Sequence, residues 1–187
     1  RTITLDRPDD IKFFKSLNLI TAKPVLYVCN VQEADEAKGD YAIAVEKLAE
    51  GEGAETVTLV GKLENEIMEI SDPEERAIFL EEMGLEETGL DRMIHAGYHL
   101  LGLATYFTVG EKENRAWTIR QNTKAPQAAG VIHTDFEKGF IRAEVIAYED
   151  FVAFKGETGA KDAGKWRLEG KEYIVANGDV IHFRFNV

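Results

Sequence analysis

The spacing of hydrophobic residues changes near Gly102, and this change divides the chain into two parts. In the first part, a fully apolar run at residues 25–29 and a second strand-like segment at residues 55–60 lie on either side of a helical pattern at residues 40–50. An apolar run without polar alternation is typical of a strand buried on both faces, as in a parallel sheet. Strand, helix and strand in this order predict a βαβ unit, followed by further helices up to residue 101.

Two local patterns describe the helices of the first part. Tyr41, Val45 and Leu48 recur at helical spacing, and we expect them to face the sheet. Asp72 and Pro73 predict the start of another helix, because aspartate caps a helix well and proline suits its first position.

In the second part, apolar and polar residues alternate, which is the pattern of half-buried strands. Residues 105–109 and 115–120 predict a hairpin with a polar tip. After a central helix, a strand is predicted at residues 141–148, and a closing hairpin at residues 172–175 and 180–185. The order ββ-α-β-ββ describes a β-grasp, or ubiquitin-like, fold.

The central helix of the second part is predicted as one continuous element. Pro126 suits its first turn, because the φ angle of proline is already near the helical value. Ala128, Ile132 and Phe136 recur every four residues and form its apolar stripe. We expect Gly139 to end the helix in the left-handed conformation.

Charge follows the same division of the chain. Residues 1–98 hold 22 acidic and 10 basic residues, whereas residues 99–187 hold 12 of each, and the whole chain has a net charge of −12. The acidic first part argues against a broad phosphate-binding face there. We therefore predict an α/β part at residues 1–102 and an α+β domain at residues 103–187.

Composition indicates a cytoplasmic protein without a membrane partner. Cys29 is the one cysteine, so no internal disulfide framework is expected, and a small buried hydrophobic role is favoured for it. The apolar runs are too short to cross a bilayer, and residues 1–10 lack the apolar segment of a signal peptide. Because the chain begins without Met, we expect a piece of a longer protein.

Polar residues follow the first predicted strand, in the sequence Asn30-Val31-Gln32-Glu33. Ligands in open α/β sheets bind at the carboxyl ends of strands, where guanine-specific GTPases carry an Asn-Lys-x-Asp element. Here Val31 replaces the lysine and Glu33 replaces the aspartate. Gly61 follows the next strand and would let a purine base approach the backbone. A plain turn at each of the two joints is the alternative interpretation.

Basic residues close to an aromatic residue suggest RNA contacts in the second part, because stacking and phosphate contacts are the usual basis of RNA binding. Trp117 itself alternates with Ile119 on one strand face and is favoured as a core residue. His133 is either a contact residue or a structural histidine. The candidate contact residues are Arg115, Arg120, Lys124, His133, Lys138, Arg142, Lys165 and Arg167.

Other combinations of residues do not indicate catalysis or metal binding. Residues 159–165 match the spacing of a phosphate-binding loop, but Trp166 stands where a Ser or Thr should bind Mg²⁺. His95 and His99 have a metal-binding spacing without a third ligand nearby in the sequence. We therefore predict no catalytic and no metal-binding residues in this chain.

Four stretches, within residues 17–187, resemble the C-terminal half of YchF-type (Obg-like) P-loop ATPases. They read LNLITAKPVLYVCNV, DPEERAIFLEEMGLEETGLDRMIHAGYHLLGLATYFTVGEKENRAWTI, TKAPQAAGVIHTDFEKGFIRAEVI and LEGKEYIVANGDVIHFRFNV. The last two resemble the family's TGS domain, a β-grasp module. The resemblance implies that residues 1–102 are the last part of a P-loop nucleotide-binding domain, and that residues 103–187 are a TGS domain.

This resemblance also implies a translation-related protein that contacts the ribosome and prefers ATP to GTP. The family's base-recognition element, Asn-x-x-Glu, falls on Asn30 and Glu33, and Val31 would cover the purine ring. The family usually has a small Ser-Ala-type joint where this chain has Val60 and Gly61. Its phosphate-binding loop and Mg²⁺-binding residues precede the matching region, so we expect this chain alone not to hydrolyse ATP.

Two interpretations of the function are open at this point. The chain is either part of a ribosome-associated nucleotide hydrolase with a docking domain, or a stand-alone β-grasp module that binds protein or RNA without a nucleotide role. A partial sheet also exposes strand edges, so dimerisation through such an edge is expected.

Overall fold

The structure of the chain is a computed structural model, and it describes residues 5–32, 39–110 and 112–186. The chain forms two compact units, Arg1–Leu100 and Leu101–Val187.

The first unit is built on two parallel strands, β1 (Leu26–Val31) and β2 (Glu55–Val60). The connection between them contains α2 (Asp40–Glu52), which gives the predicted βαβ arrangement. In the register of the pair, Asn30 lies opposite Leu59 and Val31 lies opposite Val60. Both strands therefore end at the same edge of the sheet, which is the feature that positions the candidate site.

The prediction for the inner face of α2 was wrong. Tyr41 is 91% exposed and Leu48 is 52% exposed, whereas Ala42 and Ala49 are buried. Alanine has the smallest side chain that a helix can present, so this stripe lets α2 lie close to the narrow two-stranded sheet. The larger residues belong to a neighbouring stripe of the same helix.

Four further α-helices and one 3-10 turn complete the first unit. Asp72 caps one of them, since its Oδ1 accepts a hydrogen bond from the Glu74 N–H at 2.8 Å, and Pro73 takes the first position as predicted. The elements are α1 (Pro8–Ser16), the 3-10 turn Ile20–Ala22, α3 (Gly61–Glu69), α4 (Pro73–Glu82) and α5 (Gly89–Leu100).

The second unit is a mixed five-stranded sheet in the order β4-β3-β7-β5-β6. β3 and β4 form the predicted antiparallel hairpin, β7 pairs parallel with β3 and antiparallel with β5, and β6 pairs antiparallel with β5. The strands are β3 (Leu103–Val109), β4 (Asn114–Arg120), β5 (Phe140–Ala147), β6 (Arg167–Glu169) and β7 (Asp179–Phe185).

The helices of the second unit are α6 (Ala125–Ile132), α7 (Thr134–Lys138), α8 (Tyr148–Ala153) and α9 (Glu157–Asp162). The core lies between one face of the sheet and α6. Tyr106 is fully buried in it and donates a hydrogen bond to the Ala128 carbonyl at 2.9 Å. Ile132 and Phe136 pack against this core, as their predicted stripe requires.

The predicted continuous central helix is in fact two helices. His133 has extended backbone angles, φ −159° and ψ 141°, and its Nδ1 accepts a hydrogen bond from the Asp135 N–H at 3.2 Å. His133 therefore acts as the N-terminal cap of α7 and breaks the helix between Ile132 and Thr134. The apolar stripe keeps its contacts across this break because both short helices face the same core.

Gly139 does not adopt the predicted left-handed conformation, since its φ is −89° and its ψ is 9°. A Cβ atom at this position would overlap the carbonyl oxygen of Asn186. The backbones of Gly139 and Asn186 are also joined by a hydrogen bond of 2.9 Å. Glycine is required here by the close approach of two backbone segments.

The predicted closing hairpin was also wrong. Residues 172–175 make one isolated bridge, between Ile174 and Lys124, and β7 pairs with β5 and β3 instead. The buried carboxylate of Asp179 accepts hydrogen bonds from the Tyr173 hydroxyl at 2.7 Å and the Ala176 N–H at 2.9 Å. Burial and the bond to Asp179 raise the pKa of Tyr173 to about 12, so this hydroxyl remains a donor.

The other edge strand of the sheet, β6, was not predicted from the sequence. Two short helices, α8 and α9, lie between β5 and β6. Gly159 belongs to α9, where a Cβ atom would overlap the Phe154 carbonyl oxygen, and Gly164 has a φ of +71° just after that helix. The glycines that imitate a phosphate-binding loop are thus explained by local packing at Gly159 and by backbone conformation at Gly164.

Replacing Gly139 with alanine is expected to destabilise the second unit by about 1–3 kcal/mol, the usual cost of overpacking. The matched control is Gly170→Ala, because nothing lies within 4 Å of a Cβ atom at Gly170. Urea unfolding monitored by circular dichroism measures both free energies. Equal stabilities of the two variants would contradict the proposed backbone contact.

Candidate functional site

The candidate base-binding edge lies where β1 and β2 end. Asn30 is near the end of β1, and Gly61 begins α3 directly after β2. The Gly61 N–H donates a hydrogen bond of 3.1 Å to Asn30 Oδ1. This bond satisfies one of the free N–H groups at the start of α3 and fixes the side-chain amide, so that its Nδ2 is the group left to donate outward.

Gly61 leaves room for this contact between the two strand ends. A Cβ atom at residue 61 would lie 2.9 Å from Asn30 Oδ1, so the asparagine side chain would have to shift slightly. An open depression of about 470 Å³ lies against Asn30, Val31, Gly61 and Lys62. The structure therefore brings Asn30, Val31 and Gly61 together, while Glu33 lies outside the described residues.

The carboxylate of Glu64, in α3, binds the first N–H groups of α5. Glu64 Oε1 accepts a hydrogen bond from the Gly89 N–H at 2.8 Å, and Oε2 accepts one from the Leu90 N–H at 3.2 Å. Thr88 and Asp91 complete the start of α5 with two hydrogen bonds between them. These bonds satisfy N–H groups at the start of α5, and the negative charge of Glu64 is favourable at that helix end. The sequence interpretation missed Glu64 because its partners lie 25 and 26 residues away.

The eight candidate contact residues of the second unit do not form one surface. Arg115 and Arg120 lie on β4, at one edge of the sheet, whereas Arg167 lies on β6 at the opposite edge. Arg142 is on β5, and Lys165 shortly precedes β6.

Most of these basic residues are already paired with an acidic residue. The ion-pair distances are 4.0 Å for Arg115–Glu113, 2.5 Å for Lys124–Glu172, 3.8 Å for Arg142–Glu144, 3.4 Å for Lys165–Asp150, and 3.6 Å from Arg167 to both Glu169 and Asp179.

For the three remaining candidates, the contacts or positions are of other kinds. Arg120 donates to the Leu101 carbonyl at 3.3 Å, His133 caps α7, and Lys138 lies in the last turn of α7. Five of the eight candidates are thus lysines or arginines with a carboxylate within 4.0 Å, and these basic side chains remain about half exposed.

Glu144 is a buried acidic residue of the second unit that is bound by the arginine Arg184. Its side chain is 5% exposed, and its two oxygens accept hydrogen bonds from Arg184 at 2.9 and 3.0 Å. These bonds, helped by the charges of Arg184, His182 and Arg142, lower the pKa of Glu144.

A groove that sequence reasoning did not predict is lined mainly by residues at the end of β3, on β7 and on the α6–α7 pair. Trp117 lines it and is partly buried against the core, in agreement with its predicted core role. The indole Nε1 donates to Thr108 Oγ1 at 2.9 Å, and the guanidinium of Arg115 lies 4.2 Å from the ring centroid. Phe136, from α7, stacks on Phe185 of β7 with ring centroids 3.7 Å apart.

The histidines and the helices indicate no metal site and no membrane span in the described part of the chain. His95 pairs with Glu87 at 3.2 Å, and His99 pairs with Glu55. No group of three or more metal-ligating side chains occurs among the described residues. Among those same residues, no helix is both long and apolar enough to cross a bilayer.

Comparison with known proteins gives the same relatives by sequence and by structure. The ribosome-binding ATPase YchF of Haemophilus ducreyi is 57% identical over all 187 residues, and that of Bacillus subtilis is 56% identical over 179 residues. Over its whole length, the chain is homologous to part of these YchF proteins. A family model, YchF-GTPase_C, described as a protein of unknown function (DUF933), matches residues 103–186.

The YchF relatives are longer than this chain, which spans about half the length of the curated relatives it matches, 51% and 49% for these two. The YchF GTPase of Schizosaccharomyces pombe superposes with a TM-score of 0.79 at 37% identity, over 97% of this chain and 48% of that one. A GTP-binding protein of Pyrococcus horikoshii has the same fold, with a TM-score of 0.62 at 20% identity over 95% of this chain and 50% of that one.

Replacing Glu144 with glutamine is expected to lower the free energy of unfolding at pH 7 by about 1–2 kcal/mol, because the charge-assisted bonds to Arg184 are lost. The lowered pKa means that the carboxylate stabilises the fold above its unfolded pKa. This contribution disappears as pH falls through the folded pKa, so the difference between variant and wild type should shrink toward pH 3.

Urea unfolding at a series of pH values measures this difference. The control is Glu172→Gln, because Glu172 is 85% exposed and its pair with Lys124 should contribute less than about 1 kcal/mol. A cost for Glu144→Gln that stays constant from pH 7 to pH 3 would refute the assignment.

Proposed function

We propose that this chain is part of a ribosome-associated, nucleotide-binding ATPase. In this proposal the first unit supplies the base-binding edge of a P-loop nucleotide domain, and the second unit is a TGS β-grasp domain that docks on the ribosome. The observation that carries the proposal is the Asn30–Gly61 hydrogen bond at paired strand ends. All 187 residues of this chain align with a ribosome-binding ATPase at 57% identity.

The base-binding role follows from the hydrogen-bonding groups at the edge. With Oδ1 occupied by Gly61, Asn30 Nδ2 donates to N7 on the Hoogsteen side of a purine. Val31 covers the ring, and the backbone at Gly61 borders the base. Glu33 replaces the aspartate with which GTPases bind guanine, and this replacement supports a preference for ATP over GTP.

Phosphate chemistry requires groups that we do not assign within these 187 residues. ATP hydrolysis depends on a phosphate-binding loop and on Mg²⁺ placed at the phosphates. We propose that the longer protein supplies both, and that base contacts alone give this chain only weak nucleotide affinity.

We propose the docking role of the second unit because the curated relatives are named ribosome-binding ATPases. Ribosome association places the protein in the cytoplasm. Dimerisation through the open edges of the β1–β2 sheet stays a prediction.

A nucleotide titration of the isotope-labelled chain, followed by NMR, tests the base-binding role. ATP is expected to shift the Gly61 amide and the Asn30 side-chain amide with a dissociation constant of about 1 mM, which corresponds to about −4 kcal/mol. GTP should shift them less and CTP not at all, because a pyrimidine has no N7. Adding Mg²⁺ should change the affinity little.

The variants Asn30→Ala and Asn65→Ala form the matched pair for this titration. Asn65 bonds only its helix neighbour Glu69, at 3.1 Å, so its removal should leave the response intact. The Asn30→Ala variant should lose the shifts that ATP causes. Equal shifts with all three nucleotides, or micromolar binding that depends on Mg²⁺, would disprove the proposal that this chain contacts the base but not the phosphates.

A further inference from the structure

Two polar contacts hold the first turn of α3, where the candidate base-binding edge lies. The Gly61 N–H donates to Asn30 Oδ1, and the Glu64 carboxylate accepts from two N–H groups at the start of α5. The buried side chain of α3 is Ile67, which lies in the second half of the helix. Apolar packing therefore anchors mainly the second half of α3, whereas hydrogen bonds fix its start.

The start of α5 is a fixed support for Glu64. Thr88 and Asp91 cap this helix through two hydrogen bonds between them, of 2.7 and 3.0 Å. A Cβ atom at Gly89 would lie 2.8 Å from the Cβ atom of Leu59 in β2, so the start of α5 lies directly against the sheet. Because α5 keeps its own cap and its packing on β2, loss of Glu64 should release α3 rather than unfold α5.

The geometry also sets the length of the side chain that is required at residue 64. Each oxygen of the Glu64 carboxylate accepts one N–H, at 2.8 Å from Gly89 and at 3.2 Å from Leu90. Bonds between a carboxylate and backbone N–H groups are stronger than bonds between neutral groups. A Cβ atom at Gly89 would lie 2.6 Å from Glu64 Oε1, so this glycine lets the carboxylate reach the backbone. An aspartate, which is one methylene shorter, should not reach both N–H groups.

We propose that Glu64 is a positioning residue for the base-binding edge. Glu64 does not line the depression at the strand ends, whereas Gly61, three residues earlier in the same helix, does. Glu64 acts through Gly61, which it keeps beside Asn30 by fixing the first turn of α3 on α5. This inference rests on the base-binding role proposed above and adds to it a residue that does not contact the base.

The expected effect on affinity follows from the fraction of molecules that present the edge. Without Glu64, the first turn of α3 leaves its bonded position for part of the time. Only molecules with Gly61 bonded to Asn30 are competent to bind the base. The apparent affinity for a purine nucleotide therefore falls in proportion to the competent fraction.

The NMR titration with ATP, applied to variants of residue 64, tests this inference. Glu64→Ala is expected to weaken ATP binding about fivefold, which corresponds to a competent fraction of about one fifth. Glu64→Gln keeps the reach and one acceptor oxygen, and it should bind ATP within about twofold of wild type. Glu64→Asp keeps the charge but loses the reach, and it should resemble the alanine variant.

Two control variants separate positioning from charge and from stability. Glu66→Ala removes an exposed carboxylate from the same helix and should leave the ATP affinity unchanged. Ile67→Val removes one buried methyl group, so it should lower the midpoint of thermal unfolding without changing the affinity.

The controls and the shorter and neutral variants decide the outcome even if Glu64→Ala does not fold. If Ile67→Val weakens ATP binding as much as a variant of Glu64 with the same thermal midpoint, stability explains the effect and the inference is wrong. If Glu64→Asp binds ATP better than Glu64→Gln, the charge explains the effect and the inference is wrong.

The wild-type titration distinguishes this inference from the proposed function. If ATP shifts the Gly61 and Asn30 amides, and Glu64→Ala responds at the same ATP concentrations, the positioning inference is wrong and the base-binding role stands. If ATP leaves those amides of the wild-type chain unshifted, the base-binding role is wrong and the positioning inference fails with it.

Discussion

The parallel pairing of β1 and β2 is the constraint on which the candidate site depends. Parallel strands end at the same edge, so residues 30 and 61, which are 31 positions apart, become neighbours. The contact is then fixed by chemistry, because the free N–H at the start of α3 takes the amide oxygen of Asn30. A Cβ atom at residue 61 would meet the amide oxygen of Asn30 at 2.9 Å, so a larger residue there would require the asparagine side chain to shift.

The second unit depends on a different principle, which is local neutralisation of charge. Its basic residues are distributed over both edges of the sheet and are mostly matched by nearby carboxylates. Glu144 and Asp179 are buried, and each is satisfied by several donors, so they stabilise the strand pairing at β5 and β7.

The sequence predicted the elements whose signals are local. The β1–α2–β2 unit, the β3–β4 hairpin and the Asp72 cap all follow from patterns within a few residues. Some errors occurred where distant residues decide the outcome, since Gly139 is required by the backbone of Asn186 and β6 exists because β5 provides a partner strand. The break at His133 is local, because its side chain accepts from the Asp135 N–H, but the continuous apolar stripe conceals it. A single sequence does not show which segments meet.

The same limit applies to the candidate site. The motif at Asn30 and the glycine at Gly61 could be predicted, because strand ends are where α/β sheets bind ligands. The hydrogen bond between them, and the role of Glu64 at the start of α5, required coordinates. The basic residues were identified one by one, but their acidic partners became visible only in three dimensions.

Photocrosslinking with 8-azido-ATP is the most direct measurement of whether the paired strand ends contact a purine, because the azide lies next to N7. The account predicts that mass spectrometry locates the label in the peptides that contain residues 30–32 and 61–62, and that excess ATP removes it. Label confined to residues 101–187, or spread without competition by ATP, would contradict the account.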